Sequence, residues 1–151
     1  MESIAVYLNN AHRRCDELCM ETSFHVGGDR WDEAELLFQA FSTALEQHFT
    51  MEEKILFTAF ENAIHTSEGP TSLMRDEHRK IRSVIFMLQD AMTRRSRNAF
   101  LGHADTLTIM IAQHNLVEET FLYPMMDSLP PSQQNEIIQS MSALAGAMSF
   151  D

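Results

Sequence analysis

Apolar residues recur along this chain at intervals of three and four positions, which is the spacing that places side chains on one face of an α-helix. The pattern predicts five helices, at about residues 2–23, 32–64, 70–94, 98–123 and 132–147. No segment shows the alternation of apolar and polar residues that is typical of a β-strand. The sequence therefore predicts an all-α protein.

Turn signals separate the predicted helices. They are Gly27-Gly28-Asp29 after the first helix, Gly69-Pro70 before the third, and Pro124 and Pro130-Pro131 before the fifth. Four long helices joined by short loops predict an antiparallel four-helix bundle, and the short fifth helix follows it. With 151 residues, the chain fits a single domain over residues 1–151.

The composition narrows the classes of function. Lys and Arg number 11 against 22 Asp and Glu, so the net charge is −11 and a surface for nucleic acid or anionic membranes is disfavoured. No apolar run approaches the roughly 20 residues of a membrane helix, and the N-terminus lacks the basic and apolar regions of a secretory signal. We therefore expect a soluble cytoplasmic protein that binds neither nucleic acid nor membranes.

The most informative pattern is an internal repeat with a period of 66 residues. A shift by 66 places His12-Arg13 on His78-Arg79, Gln47-His48 on Gln113-His114, Glu52-Glu53 on Glu118-Glu119, and Leu56-Phe57 on Leu122-Tyr123. Each half thus contains a histidine that is followed 36 positions later by a His-x-x-x-Glu motif. The matches between the halves concentrate on histidine and glutamate.

The spacing within each motif places its histidine and glutamate on one face of a helix, one turn apart. The four long helices then each direct at least one polar group toward the centre of the bundle. The six candidate metal ligands are His12, His48, Glu52, His78, His114 and Glu118. In an apolar interior, two carboxylates without partners would be strongly destabilising, so this set predicts bound cations.

Two divalent ions satisfy these donors best, because two carboxylates can bridge a pair of ions while each ion takes two imidazoles. Mixed nitrogen and oxygen ligands suit iron or manganese, and zinc and copper are also compatible. A single structural zinc is disfavoured because it would use four ligands rather than six. Ferritin-like bundles carry Glu-x-x-His, so the His-x-x-x-Glu order disfavours that class.

The residues around the candidate ligands resemble those of the hemerythrin-like family, whose members carry the HHE cation-binding domain. The resemblance rests on His12, Gln47–Glu53, Glu77-His78 and His114–Pro124, and it covers about residues 3–145. It implies an up-down-up-down bundle around a non-haem di-iron centre with bridging carboxylates and an oxo or hydroxo bridge. Manganese or zinc can substitute for iron in such a centre.

One departure from the oxygen-carrying members of the family is informative. Those members have a fifth histidine four positions after the counterpart of His78, where this chain has Arg82. The chain therefore resembles the four-histidine branch, which leaves a more open metal pair. The remaining histidines are His25, His65 and His103. We expect none of them to be a ligand, since two lie near predicted turns and the third lies about 16 Å along the helix axis from His114.

Several neighbouring residues have a simpler interpretation than chemistry. Cys15 and Cys19 align with isoleucines in the repeat, so we expect reduced thiols that pack in the core, with a redox role as the alternative. We expect Tyr123 to be a core aromatic residue, with a phenol near the metals as the alternative. Glu53 and Glu119 adjoin the ligands, and we expect them to interact with the ligands or with solvent rather than to bind metal.

Two classes of function are compatible with such a centre. In the first, the protein is an oxidoreductase whose iron pair binds and reduces O2, peroxide or nitric oxide, with electrons from an unidentified donor. In the second, it is a binding module, such as an oxygen or redox sensor, an oxygen or iron store, or an iron donor for iron–sulfur cluster repair. We favour reaction with a small oxidant. The sequence does not indicate the electron donor, the oligomeric state or whether turnover occurs.

Overall fold

The computed structural model describes residues 2–66 and 68–148, and all regular elements in these ranges are helical. The α-helices are α1 (Ile4–Gly27), α2 (Trp31–Met51), α3 (Phe57–Ile64), α4 (Pro70–Thr93), α5 (Arg97–Val117), α6 (Tyr123–Met126) and α7 (Pro131–Met148). Two π-helical turns, π1 (Glu52–Leu56) and π2 (Glu118–Leu122), link α2 to α3 and α5 to α6. The predicted all-α class is confirmed, and none of the described helices has the length and apolar character needed to cross a membrane.

The observed helix boundaries differ from the predicted ones at two main points. α1 extends to Gly27, beyond the predicted end at residue 23. The helix predicted to end before Pro124 continues through π2 and α6 to Met126. Pro124 comes directly after π2, in the first turn of α6, and the chain stays helical there.

Short turns connect the long helices into a bundle. Residues 28–30 join α1 to α2, and residues 94–96 join α4 to α5. In the loop before α4, Gly69 has a φ of 99°, a conformation that favours glycine, and Pro70 then begins the helix. These connections bring α1 into contact with α2, and α4 into contact with α5.

Apolar side chains fill the bundle in two clusters, with a polar layer between them. The larger cluster includes Trp31, Phe38, Phe41, Phe49, Leu88, Phe100 and Leu107. The smaller cluster includes Ile4, Leu8, Leu56, Phe57, Met74, Leu122, Tyr123 and Met141. Along α1, Leu8 belongs to the smaller cluster, Cys15 to the larger one, and buried His12 lies between them. The candidate ligands therefore lie at mid-length in the bundle, with apolar packing on both sides.

Candidate metal centre

Four imidazoles meet in pairs in the polar layer. His12 of α1 lies against His48 of α2, with 3.0 Å between their Nε2 atoms. His78 of α4 lies in the same way against His114 of α5, with 3.1 Å between their Nε2 atoms. All four residues are buried, since none is more than 5% exposed. The structure thus brings the four predicted histidines together, two by two.

Two carboxylates lie between the imidazole pairs. Oε1 of Glu52 is 3.2 Å from Nε2 of His48 and 3.3 Å from Nε2 of His78. Oε1 of Glu118 lies at 3.2 and 3.3 Å from the Nε2 atoms of the other member of each pair. Each carboxylate therefore contacts one imidazole of the first pair and one of the second pair. A ligand that bridges two ions requires this arrangement.

The six side chains form two overlapping groups, each of which could hold one ion. The first position consists of His12, His48, Glu52 and Glu118, and the second position of His78, His114, Glu52 and Glu118. Within each group, one ligand atom per residue lies within 4.8 Å of all the others. Oε1 of Glu52 and Oε2 of Glu118 are buried and have no hydrogen-bond partner in the described part of the chain. Such oxygens beside inward-facing nitrogens fit a divalent cation better than an apolar core.

Each of these carboxylates belongs to the first residue of a π-helical turn. The backbone N–H of Phe57 donates to the carbonyl of Glu52, and that of Tyr123 donates to the carbonyl of Glu118. The two turns are 66 residues apart and so follow the internal repeat. π turns are rare and occur frequently at functional sites. Helical periodicity missed them, although the repeated Leu-aromatic pair marks where both turns end.

The glutamates that follow the two shared glutamates in the sequence form hydrogen bonds with the outer nitrogens of two imidazoles. Oε1 of Glu119 lies 2.9 Å from Nδ1 of His12, and Oε2 of Glu53 lies 2.7 Å from Nδ1 of His78. A carboxylate that accepts the Nδ1–H bond fixes the ring orientation and leaves the Nε2 lone pair directed inward. Glu53 and Glu119 thus contact candidate ligands, which is one of the two roles predicted for them.

The other two imidazoles differ in their outer contacts. Nδ1 of His114 lies 2.7 Å from Oε1 of Glu77, a contact that the sequence analysis missed. Nδ1 of His48 is buried and has no hydrogen-bond partner among the described residues. The second position therefore has a carboxylate behind each imidazole, whereas the first position has one behind His12 alone.

Arg82 supports the second position from outside. Its guanidinium donates to Oε2 of Glu53 at 2.7 Å and to Oε1 of Glu46 at 2.9 Å, and it lies 5.3 Å from the centre of the Phe49 ring. Phe49 stacks on His78, with 3.8 Å between the ring centroids and 12° between the ring planes. Arg82 therefore contributes no ligand, but it holds Glu53 in place.

Tyr123 lies in the core, as expected, and its phenol also reaches the candidate ligands, which was the alternative interpretation. The residue is fully buried as expected, but its hydroxyl donates to Oε2 of Glu52 at 2.6 Å. The hydroxyl also lies 3.0 Å from Oε1 of Glu118 and 3.1 Å from Nε2 of His12. The repeat concealed this role because its counterpart, Phe57, has no hydroxyl. That polar difference within an aromatic pair was the signal available in the sequence.

Burial and charge have opposite effects on the titration of these groups. Burial would lower the pKa of His12, His78 and His114, but hydrogen bonds and attraction from the surrounding glutamates outweigh it. The three pKa values are therefore raised, that of His114 to about 9. Burial would raise the pKa of Glu53, but hydrogen bonds from His78 and Arg82 lower it to about 2. The cluster thus attracts positive charge, and a bound cation replaces protons.

In the described part of the chain, the remaining histidines and the two cysteines lie outside both ligand groups. His25 accepts a hydrogen bond from Arg30, and His65 is exposed at the end of α3. Burial raises the pKa of the Cys15 thiol to about 12 and that of the Cys19 thiol to about 11, so both stay protonated near neutral pH. These contacts favour the packing interpretation of the cysteines.

A groove of about 680 Å³ lies between α1 and α5, beside the first position. Its lining includes Asp16, Cys19, Asp105 and Glu119. The side chain of Glu119 is 39% exposed and also contacts His12, so it connects the groove to the first position.

Comparison with known protein families agrees with this geometry. The family model of the hemerythrin HHE cation-binding domain matches residues 3–126 of the chain, and a second match covers residues 69–146. All six candidate ligands lie within the matched residues. No curated protein sequence and no solved structure gives a significant match.

Proposed function

The chain belongs to the hemerythrin HHE cation-binding family, and on this basis we propose that it is a non-haem di-iron protein that reacts with O2, peroxide or nitric oxide. The observation that carries the proposal is the position of the two carboxylates, each in contact with one imidazole of either pair. One iron ion would occupy the first position and one the second. The proposed ligands are His12, His48, Glu52, His78, His114 and Glu118.

The donor atoms support iron as the metal. Both positions offer imidazole nitrogens and carboxylate oxygens without a thiolate, a mixture that suits iron or manganese and also accepts zinc. At each position two imidazoles and two shared carboxylates would hold the ion, and an iron ion with these ligands could also bind a small molecule. Iron in such a site supplies electrons to a bound oxidant, and turnover requires an electron donor outside the chain.

The chain's own residues would orient the metal ligands and limit access to them. The residues that fix imidazole rings from outside are Glu53, Glu77 and Glu119. Phe49 covers one imidazole, and the two apolar clusters exclude bulk water from above and below. The Tyr123 hydroxyl contacts both shared carboxylates, so it can hold a proton at that side of the centre.

The proposal extends to the arrangement of the whole chain. Short turns join α1 to α2 and α4 to α5, and these helix pairs are in contact, which supports an antiparallel up-down-up-down bundle. The overlapping family matches support one hemerythrin-like domain over residues 1–151. A cytoplasmic location is retained from the sequence analysis.

Reaction kinetics separate this function from the second candidate, a binding module without turnover. The protein is loaded anaerobically with Fe(II) and mixed with O2, hydrogen peroxide or nitric oxide in a stopped-flow instrument. Rapid oxidation of the iron that consumes the oxidant supports the oxidoreductase. Reversible O2 uptake, in which the O2 is recovered when the pressure is lowered, supports the sensor or store.

Metal analysis tests the site itself. We expect about two iron ions per chain, from the two positions that share their carboxylates. The double variant Glu52→Ala with Glu118→Ala should lose the iron. The matched change Glu61→Ala, at a partly buried glutamate that pairs with Arg75 outside the centre, should retain it. A stoichiometry of one iron, or full retention by the double variant, would contradict the bridged centre.

A further inference from the structure

Some residues contact the outer Nδ1 atoms of the imidazoles. Their identity is the same in both halves of the internal repeat at one pair of positions and differs at another pair. Glu53 and Glu119 are counterparts in the 66-residue repeat, and each accepts a hydrogen bond from one imidazole. Glu77, which holds His114, has Ala11 as its counterpart. Because alanine has no side-chain acceptor, the imidazole that corresponds to His114 lacks a carboxylate at this place.

The imidazole affected is that of His48 in the first position. His48 is only 2% exposed, and its buried Nδ1 has no hydrogen-bond partner in the described ranges. An acceptor on the outer nitrogen fixes the tautomer of a metal-binding histidine and makes it a stronger ligand. Removal of such an acceptor typically weakens metal binding by about 10- to 100-fold. The first position thus has one supported imidazole, and the second has two.

A second pair of repeat counterparts has the same effect. At the second position, Arg82 donates to Glu53 at 2.7 Å and so holds the carboxylate behind His78. The counterpart of Arg82 is Asp16, which lines the groove together with Glu119. Glu119, the carboxylate behind the first position, therefore has the negative charge of Asp16 nearby. Glu53, its counterpart at the second position, has the positive charge of Arg82 instead.

Access to solvent also differs between the two positions. The side chain of Glu119 is 39% exposed at the groove, whereas that of Glu53 is 22% exposed and is held by Arg82. An ion that leaves the first position meets the carboxylates of Asp16 and Asp105 in the groove wall, which favour a cation over bulk solvent. An entering ion also has to displace the hydrogen bonds of the Tyr123 hydroxyl, which lies beside this position.

From these differences we infer that the two metal positions are unequal. The second position fills first and retains its ion, whereas the first position fills last and exchanges its ion through the groove. The inference rests on the proposed di-iron function, and it assigns Glu77 as a positioning residue for the retained ion. With unequal positions, the chain can release one ferrous ion to a competing ligand while the other ion stays in the bundle.

Competition with a ferrous chelator tests the inference. Protein that carries two ferrous ions per chain is mixed anaerobically with excess 2,2′-bipyridine, and release is followed by absorbance. We expect two phases of equal amplitude whose rates differ by at least about tenfold. One phase that releases both ions at the same rate would overturn the inference. Protein that never holds two ions would contradict the proposed function as well, and metal content measured before mixing distinguishes these failures.

Exchange of the repeat counterparts assigns the cause. Ala11→Glu should slow the fast phase by about 10- to 100-fold, and Glu77→Ala should speed the slow phase by a similar factor. Glu33→Ala, at an exposed residue in the first turn of α2, should change neither rate. Glu77→Ala only truncates a side chain, so it keeps the test decisive if Ala11→Glu fails to fold. Two folded variants with unchanged rates would refute the inference.

Discussion

The first and second metal positions share two carboxylates but differ in the side chains behind their imidazoles. At the second position both imidazoles hydrogen-bond a glutamate, Arg82 holds one of these glutamates, and Phe49 stacks on His78. At the first position His48 has no such partner among the residues that the structure describes, and Glu119 lies at the edge of a groove. An internal repeat can thus retain the same inner donors while the residues that orient them diverge, so equal donors do not imply equal binding.

The difference also bears on reactivity. The Tyr123 hydroxyl lies 3.1 Å from Nε2 of His12, on the side of the first position, while its repeat counterpart Phe57 places no polar atom beside His78. A hydroxyl, a groove and an imidazole without an outer hydrogen-bond partner among the described residues therefore coincide on one side of the centre. We expect small oxidants and competing ligands to act on that side first.

The largest expected effect is stabilisation by metal, and it can break the comparison directly. A ligand that binds only the folded chain at 100 times its dissociation constant stabilises it by about 2.7 kcal/mol, which raises Tm by about 5–10 °C for a chain of this size. We expect the first equivalent of Fe(II) to give more than half of the shift, because it fills the second position. Anaerobic calorimetry with none, one and two equivalents checks this, with Mg²⁺ as the control. Equal increases in Tm for the first and second equivalents would show that the two positions bind iron equally well.

The pH dependence of the metal-stripped protein comes next and tests whether protons occupy the same centre. The pKa of His114 is raised from 6.5 to about 9, and those of His12 and His78 are also raised, so their contribution is complete below about pH 6.5. The contribution of His114 should be lost as pH rises through about 9, and those of His12 and His78 as pH rises through their raised pKa values. The pKa of Glu53 is lowered from 4.5 to about 2, so its contribution is present above 4.5 and lost toward pH 2.

Urea unfolding of the stripped protein across this pH range should therefore show maximal stability between about pH 4.5 and 6.5. His114→Gln should flatten the decline at higher pH, since it removes the imidazole whose pKa is raised to about 9. Protein loaded with iron should not show the decline, because bound ions replace the protons. Stability that increases between pH 6.5 and 9 in the stripped protein would show that these glutamates do not hold imidazolium groups.

The smallest expected effect comes from Tyr123→Phe, which removes a polar difference between the two halves. We expect the stripped protein to lose about 1 kcal/mol of unfolding free energy, because buried Oε2 of Glu52 loses the hydrogen bond from this hydroxyl. Tyr7→Phe is the matched control, since Tyr7 is partly buried and its hydroxyl lies 3.8 Å from the Met51 sulfur rather than against Glu52 or Glu118. Chemical denaturation measures both changes. Equal losses in the two variants would leave the Tyr123 hydroxyl without a special role.

Local signals explain why the helices could be predicted and why some details could not. Helical periodicity and turn residues act over a few positions, so the turn at residues 28–30 and the start of α4 at Pro70 follow from the sequence. The π turns escape such analysis because each adds one residue to a helix that otherwise continues. Pro124 predicted a helix end because proline is a local signal that usually stops a helix. In the structure the chain instead resumes an α-helix after π2.

The sequence by itself determined which donors the chain offers, because each half carries the same histidine and glutamate positions on the inner faces of its helices. Only the tertiary structure decided which groups meet. Tyr123 reaches Glu52 across 71 residues, and Glu77 reaches His114 across 37. Spacing along one helix fixes the direction of a side chain, but contacts between helices depend on how the helices pack against each other. Likewise, only the packed helices show that Nδ1 of His48 has no hydrogen-bond partner in the described part of the chain.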